Sequence, residues 1–357
     1  IVVLKKSMTI TEIAKEAGVS KSTVSRVLNN KSDVLPGTKE RVLRVIREHQ
    51  FQPNAYARSM SQRRSRTIGV VVPHDIDYVF QNQYYMEIQR GILKAMTKRG
   101  YYALMLCCRD MKEAFDAVLQ KRVDGLLLIS PLYEHTPYIN ELLEHHVPLV
   151  LIGKSPASQQ VYQVCIDNYM GALSAMQHLF GLGHRRIAFI NGPHFLPSSE
   201  ERRRAYLDGM ARQGNAVLPG MVREGYNSID SGYQIANQIL NEFPDVSALF
   251  VASDYMAIGV LDTIHDRGMR IPQDISVVGF DNIQMSEQVT PSLTTVSQQI
   301  EEKGRISVNL LMDLIEGAPT PEGRVIDVEA KLIVRDSTGP VSSRQPDSPW
   351  KTHHIAL

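Results

Sequence analysis

Apolar residues recur at helical spacing three times within the first fifty positions, and then the rhythm changes. Ile10, Ile13, Ala14 and Ala17 share one face of a short helix that Thr9 can cap, with Glu12 three residues on to complete a capping box. Gly18 breaks that helix. Ser20 opens a second, in which Val24, Val27 and Leu28 make an inward stripe, and Pro36 fits the first turn of a third, whose Val42, Val45 and Ile46 complete a small core. From Thr67 onward, apolar runs alternate with amphipathic stretches. Strands are predicted at 68–72, 103–107, 125–129, 149–152, 187–190, 248–251 and 277–280, with helices at 84–98, 169–180, 200–213 and 255–267 among them. Strand and helix alternating in this way predict parallel sheets covered on both faces, an α/β class. About 270 residues of this pattern exceed one comfortable domain, which predicts two lobes.

Composition adds little until it is divided along the chain. The 357 residues are 43% hydrophobic and 22% charged, as in ordinary globular proteins, and the net charge of +1 taken whole argues against a polyanionic partner. Residues 1–66, however, carry 14 Lys and Arg against 5 Asp and Glu, a balance of +9, so the remainder stands at −8. A basic arm on an acidic body is the asymmetry expected when one segment touches polyanions and the rest is kept from binding them. Cys107, Cys108 and Cys165 lie in apolar runs without ligand spacing and read as buried small hydrophobes. No apolar run approaches the ~18 residues of a membrane span, and residues 1–6 lack the apolar core of a secretory signal, so a reducing cytoplasmic setting is expected. Met8 is a candidate natural start.

The strongest local signal is the run from Ile13 to Asn29. A helix, a Gly-containing turn and a second helix form a helix-turn-helix, whose tight turn lets the second helix project its early residues into a major groove. Lys21, Ser22 and Arg26 point outward there, and Arg, Lys or a hydroxyl can read base edges; the alternative is a small bundle with a solvated face. Enzyme motifs are missing: there is no G-x-G-x-x-G, Walker loop, G-x-S-x-G or H-E-x-x-H. The adjacent pairs His145-His146 and His353-His354 suit a solvated surface better than a shared metal. No cofactor is expected.

These residues resemble the headpiece of the LacI/GalR family of bacterial transcription regulators. The likeness continues through Phe51-Gln52-Pro53-Asn54, Gly183-His184-Arg185-Arg186, Ala252-Ser253-Asp254-Tyr255-Met256-Ala257, Ile275-Ser276-Val277-Val278-Gly279-Phe280-Asp281 and Leu293-Thr294-Thr295-Val296, covering residues 9–338. It implies a helix-turn-helix headpiece at 8–53, a hinge helix and linker at 54–66, and a two-lobed periplasmic-binding-protein-like body at 67–338 that binds effector and dimerises. Residues 339–357, rich in Pro and Ser and without heptads, read as a disordered tail, which argues against a tetramer.

By the same resemblance, Lys21 and Ser22 match the base-reading pair and Arg26 a further base contact, while Thr23, Ser25, Asn29, Thr38 and Asn54 match positions near phosphates. Ala57 and Met60 fall in the hinge helix, with Met60 where the family's minor-groove wedge is usually Leu. Leu35 replaces the usual polar cap before the third helix, which should weaken that helix end. For the cleft, Arg202 and Asp281 are matched, and Tyr84, Tyr85, Tyr133, Tyr226 and Ser253 occupy further effector positions. A carboxylate facing a guanidinium can grip neighbouring hydroxyls. The expected partners are double-stranded operator DNA, a saccharide effector and a second copy of the chain, with no membrane. The alternatives are a purine-type corepressor or phosphoprotein co-regulator within the same family, or a sugar-binding module without DNA function.

Overall fold

The structure is a computed structural model that describes residues 8–28, 33–51, 64–108, 111–155 and 160–341. The chain forms two compact units, Ile1–Ser65 and Arg66–Leu357.

In the first unit, α1 (Ile10–Glu16), α2 (Lys21–Leu28) and α3 (Pro36–Glu48) follow the predicted pattern. The capping box forms as expected: Thr9 N–H donates to Glu12 Oε2 at 2.6 Å and Glu12 N–H to Thr9 Oγ1 at 3.3 Å. Gly18 takes the left-handed φ of +61° that ends α1, and the Ser20 hydroxyl accepts from Thr23 N–H at 3.1 Å at the start of α2. Leu35, 76% exposed, caps α3 without any side-chain hydrogen bond. Ile13, Ala14, Ala17, Val24, Val27, Val42 and Val45 form the core, while Ile10, Leu28 and Ile46 are only half buried at its edge.

The second unit has two lobes. In the first lobe, β1 (Thr67–Val72), β2 (Tyr102–Cys107), β3 (Gly125–Ile129), β4 (Leu149–Ile152), β5 (Tyr162–Ile166) and β11 (Val325–Val328) pair in the order β11-β5-β4-β3-β1-β2, all parallel. In the other, β6 (Ile187–Asn191), β7 (Val222–Glu224), β8 (Ala248–Val251), β9 (Ser276–Asp281), β10 (Thr294–Ser297) and β12 (Lys331–Ile333) pair in the order β12-β10-β9-β8-β6-β7, with β12 alone antiparallel. The chain therefore passes between lobes three times, after β5, β10 and β11. Alternate residues of the first sheet serve two cores: Val70, Val72, Leu127 and Ile129 on one face, Val71, Leu126 and Leu128 on the other. That two-sided burial is what the continuous apolar runs anticipated.

Helices α4 (Ile76–Gln81), α5 (Gln83–Arg99), α6 (Lys112–Leu119), α7 (Thr136–Glu144) and α13 (Ile300–Glu316) flank the first sheet. Around the second lie α8 (Asn168–Gly181), α9 (Pro197–Arg212), α10 (Ile229–Glu242), α11 (Asp254–Asp266) and α12 (Met285–Gln288). α5 and α13 cross with their backbones almost touching: a Cβ on Gly91 would stand 2.1 Å from the Glu301 carbonyl, and one on Gly304 2.6 Å from that of Ile88. Among the described residues no helix is long and apolar enough to cross a membrane.

The expected tail boundary needs correction. Val341 N–H donates to Leu182 O at 2.9 Å, and the buried His184 bonds Gly339 O through Nε2 at 3.0 Å and Ser247 Oγ through Nδ1 at 2.9 Å. Residues 339–341 thus belong to the body, because their backbone completes the hydrogen bonding of the second lobe.

Candidate functional site

On α2, Val24 and Val27 are buried while Lys21, Ser22 and Arg26 are exposed and Thr23 and Ser25 half exposed. Ser20, Ser22 and Thr23 join their hydroxyls at 2.6 and 2.9 Å, and Arg26 lies 3.6 Å from Asp33, with both side chains more than half exposed. An exposed pair of this kind is held weakly and leaves the guanidinium available to another anion. Thr38 stands half exposed in the first turn of α3. Asn29, Asn54, Ala57 and Met60 lie outside the described residues.

The second site is a cleft between the lobes of the body, of about 720 Å³ including space open to solvent. The first lobe supplies Tyr78 from α4, Tyr84 and Tyr85 from α5, and Lys303 from α13. The second supplies Arg202 from α9, Asn227, Ser253 and Asp281. The strand ends dictate this arrangement: β9 terminates at Asp281, and loops beyond parallel strands open onto the crevice.

Arg202 and Asp281 meet as expected. Both are nearly buried, with Arg202 Nη1 3.9 Å from Asp281 Oδ1. The guanidinium also donates twice to Asn168 Oδ1, at 3.1 and 2.9 Å, and to Ala252 O at 2.5 Å, and lies 3.7 Å above the Phe280 ring. Asp281 has φ +124°, followed by Asn282 at +59°. The fully buried Asp254 carboxylate braces that turn, accepting from Ile283 N–H at 3.0 Å and from Thr295 Oγ1 at 2.5 Å. Burial pushes the Asp281 carboxyl up to about 6, with Arg202 pulling the other way, and pushes Asp254 up to about 7, with Asp281 adding to the rise.

Of the remaining expected residues, Tyr84, Tyr85 and Ser253 line the cleft; Tyr84 and Tyr85 meet edge to face at 5.4 Å. Ser253 caps α11, accepting from Met256 N–H at 3.2 Å. Tyr133 and Tyr226 do not line it. Tyr133 opens a short 3₁₀ turn and is 46% exposed, and Tyr226 is 66% exposed beyond β7, where the next residue, Asn227, takes the wall position instead. Cys165 is buried as expected, Cys107 and Cys108 are half buried, and none of the three forms a disulfide among the described residues.

Several wall residues escaped the sequence reading. Gln298 donates through Nε2 to Asp281 Oδ1 and accepts at Oε1 from Lys303 Nζ at 2.7 Å. Lys303 sits on the stripe Ile300, Gly304, Ser307, Val308 and Leu311, a spacing that would have marked it as inward-facing. Bonds that span the lobes are Lys154 with Glu201, Glu87 Oε1 with Gln284 N–H at 2.7 Å, and Gln83 Oε1 with Met285 N–H at 2.9 Å. Any change of lobe angle must break or remake them. Chemically, buried donors, one carboxylate and tyrosine rings suit a hydroxylated ring rather than bond cleavage.

Residues 9–54 match the pattern of the bacterial regulatory proteins of the lacI family, and residues 176–338 a periplasmic binding protein-like domain. The HTH-type transcriptional regulator CelR of Thermobifida fusca is 35% identical over 338 residues, 93% of this chain and 99% of that protein. The chain belongs to the LacI family. It is a DNA-binding transcriptional regulator of that family. Two solved LacI-family structures share its architecture. A CelR–cellobiose complex is 34% identical with a TM-score of 0.71, covering 92% of this chain and 99% of the other. A lac repressor dimer bound to operator and the anti-inducer ONPF is 29% identical with a TM-score of 0.82, covering 94% and 100%.

Proposed function

We propose that this regulator is a cytoplasmic repressor that binds a near-palindromic operator as a homodimer, and that a saccharide in the interlobe cleft changes its affinity for DNA. The buried Arg202–Asp281 pair at the wall of a tyrosine-lined cleft carries this reading: an acceptor and a fork of donors side by side match the alternating hydroxyls of a sugar. The CelR–cellobiose complex and the operator-bound lac repressor dimer support it by likeness.

Lys21, Ser22 and Arg26 then read base edges, Thr23, Ser25, Asn29, Thr38 and Asn54 hold phosphates, and Ala57 and Met60 belong to a hinge that meets the minor groove. Tyr84, Tyr85, Arg202, Ser253 and Asp281 contact the effector. Effector and operator are coupled through the difference in affinity each has for the two lobe arrangements.

A gel-shift selection on a palindromic library, run at two salt concentrations with and without a panel of sugars, tests this reading. A salt-sensitive shift that a sugar strengthens or abolishes is expected. Absent or salt-insensitive DNA binding refutes the repressor, and operator binding that no sugar alters refutes the saccharide effector.

A further inference from the structure

We propose that the saccharide recognised in this cleft carries an anionic group, a carboxylate or a phosphate, and that Lys303 holds it. The inference rests on the effector reading above and makes its ligand specific. Lys303 is 2% exposed, yet its ammonium has only neutral partners: Gln298 Oε1 at 2.7 Å and the Tyr84 hydroxyl at 3.2 Å, with the Tyr84 ring 5.2 Å away. Among the described residues no carboxylate oxygen lies within 4.0 Å of it.

The other two cations of the wall are matched. Arg202 faces Asp281, and Lys154 is bonded to Glu201 across the lobes. The Gln298 amide keeps Lys303 from the remaining acid, presenting its oxygen to the ammonium and its nitrogen to Asp281. Lys303 is therefore the wall's one cation with no carboxylate in contact among the described residues, its charge reaching Asp281 only across the Gln298 amide, and it opens onto the ligand space. Asp281 is thus the one carboxylate of the wall and faces two cations, Arg202 in contact and Lys303 across the amide, so an incoming anion meets an ammonium that no carboxylate touches, which a hydroxyl satisfies less well. The rest of the wall adds the amide of Asn227 and the hydroxyl of Ser130, which can donate to a ligand, beside a single carboxylate. Tyr84, which touches the ammonium, offers its ring to the sugar, so ring and anionic substituent belong to one molecule.

The test is thermal shift and calorimetric titration on the full-length protein with glucuronate, galacturonate and glucose 6-phosphate against glucose, galactose and cellobiose. An anionic probe is expected to raise the melting temperature and to bind about 10-fold or more tighter than its neutral parent. Lys303→Met should lose about 10- to 100-fold of that affinity and at least 10-fold less for the neutral parent, and Lys303→Arg should retain most of it. The uronate and phosphate arms show which anion is meant. Tighter binding of neutral sugars overturns the proposal and leaves the saccharide effector standing. Unchanged acid binding by Lys303→Met overturns the role of Lys303, and no response to any sugar while operator binding persists overturns both readings. Should Lys303→Met fail to fold by circular dichroism, the wild-type preference between acid and parent sugar decides.

Discussion

Replacing Arg202 by Met keeps the length and apolar body of the side chain and removes its charge from a nearly closed wall. Three losses follow. Asn168 Oδ1 and Ala252 O lose the guanidinium donors that reach them at 2.5 to 3.1 Å, which costs about 1–3 kcal/mol, and the stacking on Phe280 accounts for about 1 kcal/mol more. Asp281 also loses its counter-charge, but its carboxyl is already raised to about 6 by burial, so it escapes by taking up a proton rather than remaining a bare buried anion. In the wild type the folded value stands above the unfolded one. The carboxyl's contribution to stability is therefore greatest at low pH and declines as pH rises through the window from about 4 to about 6.

Without Arg202 the folded value rises further, and the cost of the substitution grows by about 1.4 kcal/mol per pH unit above about 6, or about 2 kcal/mol by pH 7.5. The expected total is about 4–6 kcal/mol at about pH 7.5 and about 2–4 kcal/mol at about pH 5.5. Lys303 and Tyr84 face the same carboxyl or its partner, and Asp254, whose own rise Asp281 feeds, shares in the titration. Urea denaturation followed by circular dichroism at the two pH values measures the difference. A cost that is equal at both, or larger at the lower pH, would refute the argument.

Further outcomes follow from other elements. Gly91→Ala, whose added Cβ would stand 2.1 Å from a backbone carbonyl of α13, should cost about 1–3 kcal/mol and lower the melting temperature, whereas an unchanged melting curve would show that the helices part freely. Leu35→Ser, in place of an exposed cap that makes no side-chain hydrogen bond, should stabilise the headpiece by about 0.5–1 kcal/mol, read as a rise in its urea midpoint. Arg26→Ala should weaken operator binding by about 1–3 kcal/mol and relax preference at one base position while leaving sugar-induced thermal shifts intact; equal loss of both would contradict the division of labour.

Where local pattern governs, the sequence alone was sufficient. The capping box at Thr9, the stripe of Val24 and Val27, and the fully apolar strands such as β3 and β4 all formed as expected, because each is decided by residues within one or two turns or by burial on both faces. Among the missed strands, β5 is buried along its whole length, but Gln163 interrupts its apolar run, and the others failed that condition. In β10, Thr294 and Thr295 are fully buried, yet their hydroxyls are satisfied by Arg335, Thr338 and Asp254, partners far along the chain. β7, β11 and β12 are three or four residues long and mostly half exposed, too short to show a period.

The same division runs through the site. That Arg202 and Asp281 belong together was legible in the sequence as a resemblance, and that Lys21, Ser22 and Arg26 share an exposed helix face was legible from spacing. Three passages of the chain between lobes decided the rest. They bring Lys303, Gln298 and Asn168 to one wall, turn Tyr226 away in favour of Asn227, and leave one ammonium buried with no carboxylate in contact. Sequence sets which face of an element turns inward, since periodicity is local; which faces meet across a cleft depends on contacts between residues far apart in the chain, and no local pattern records them.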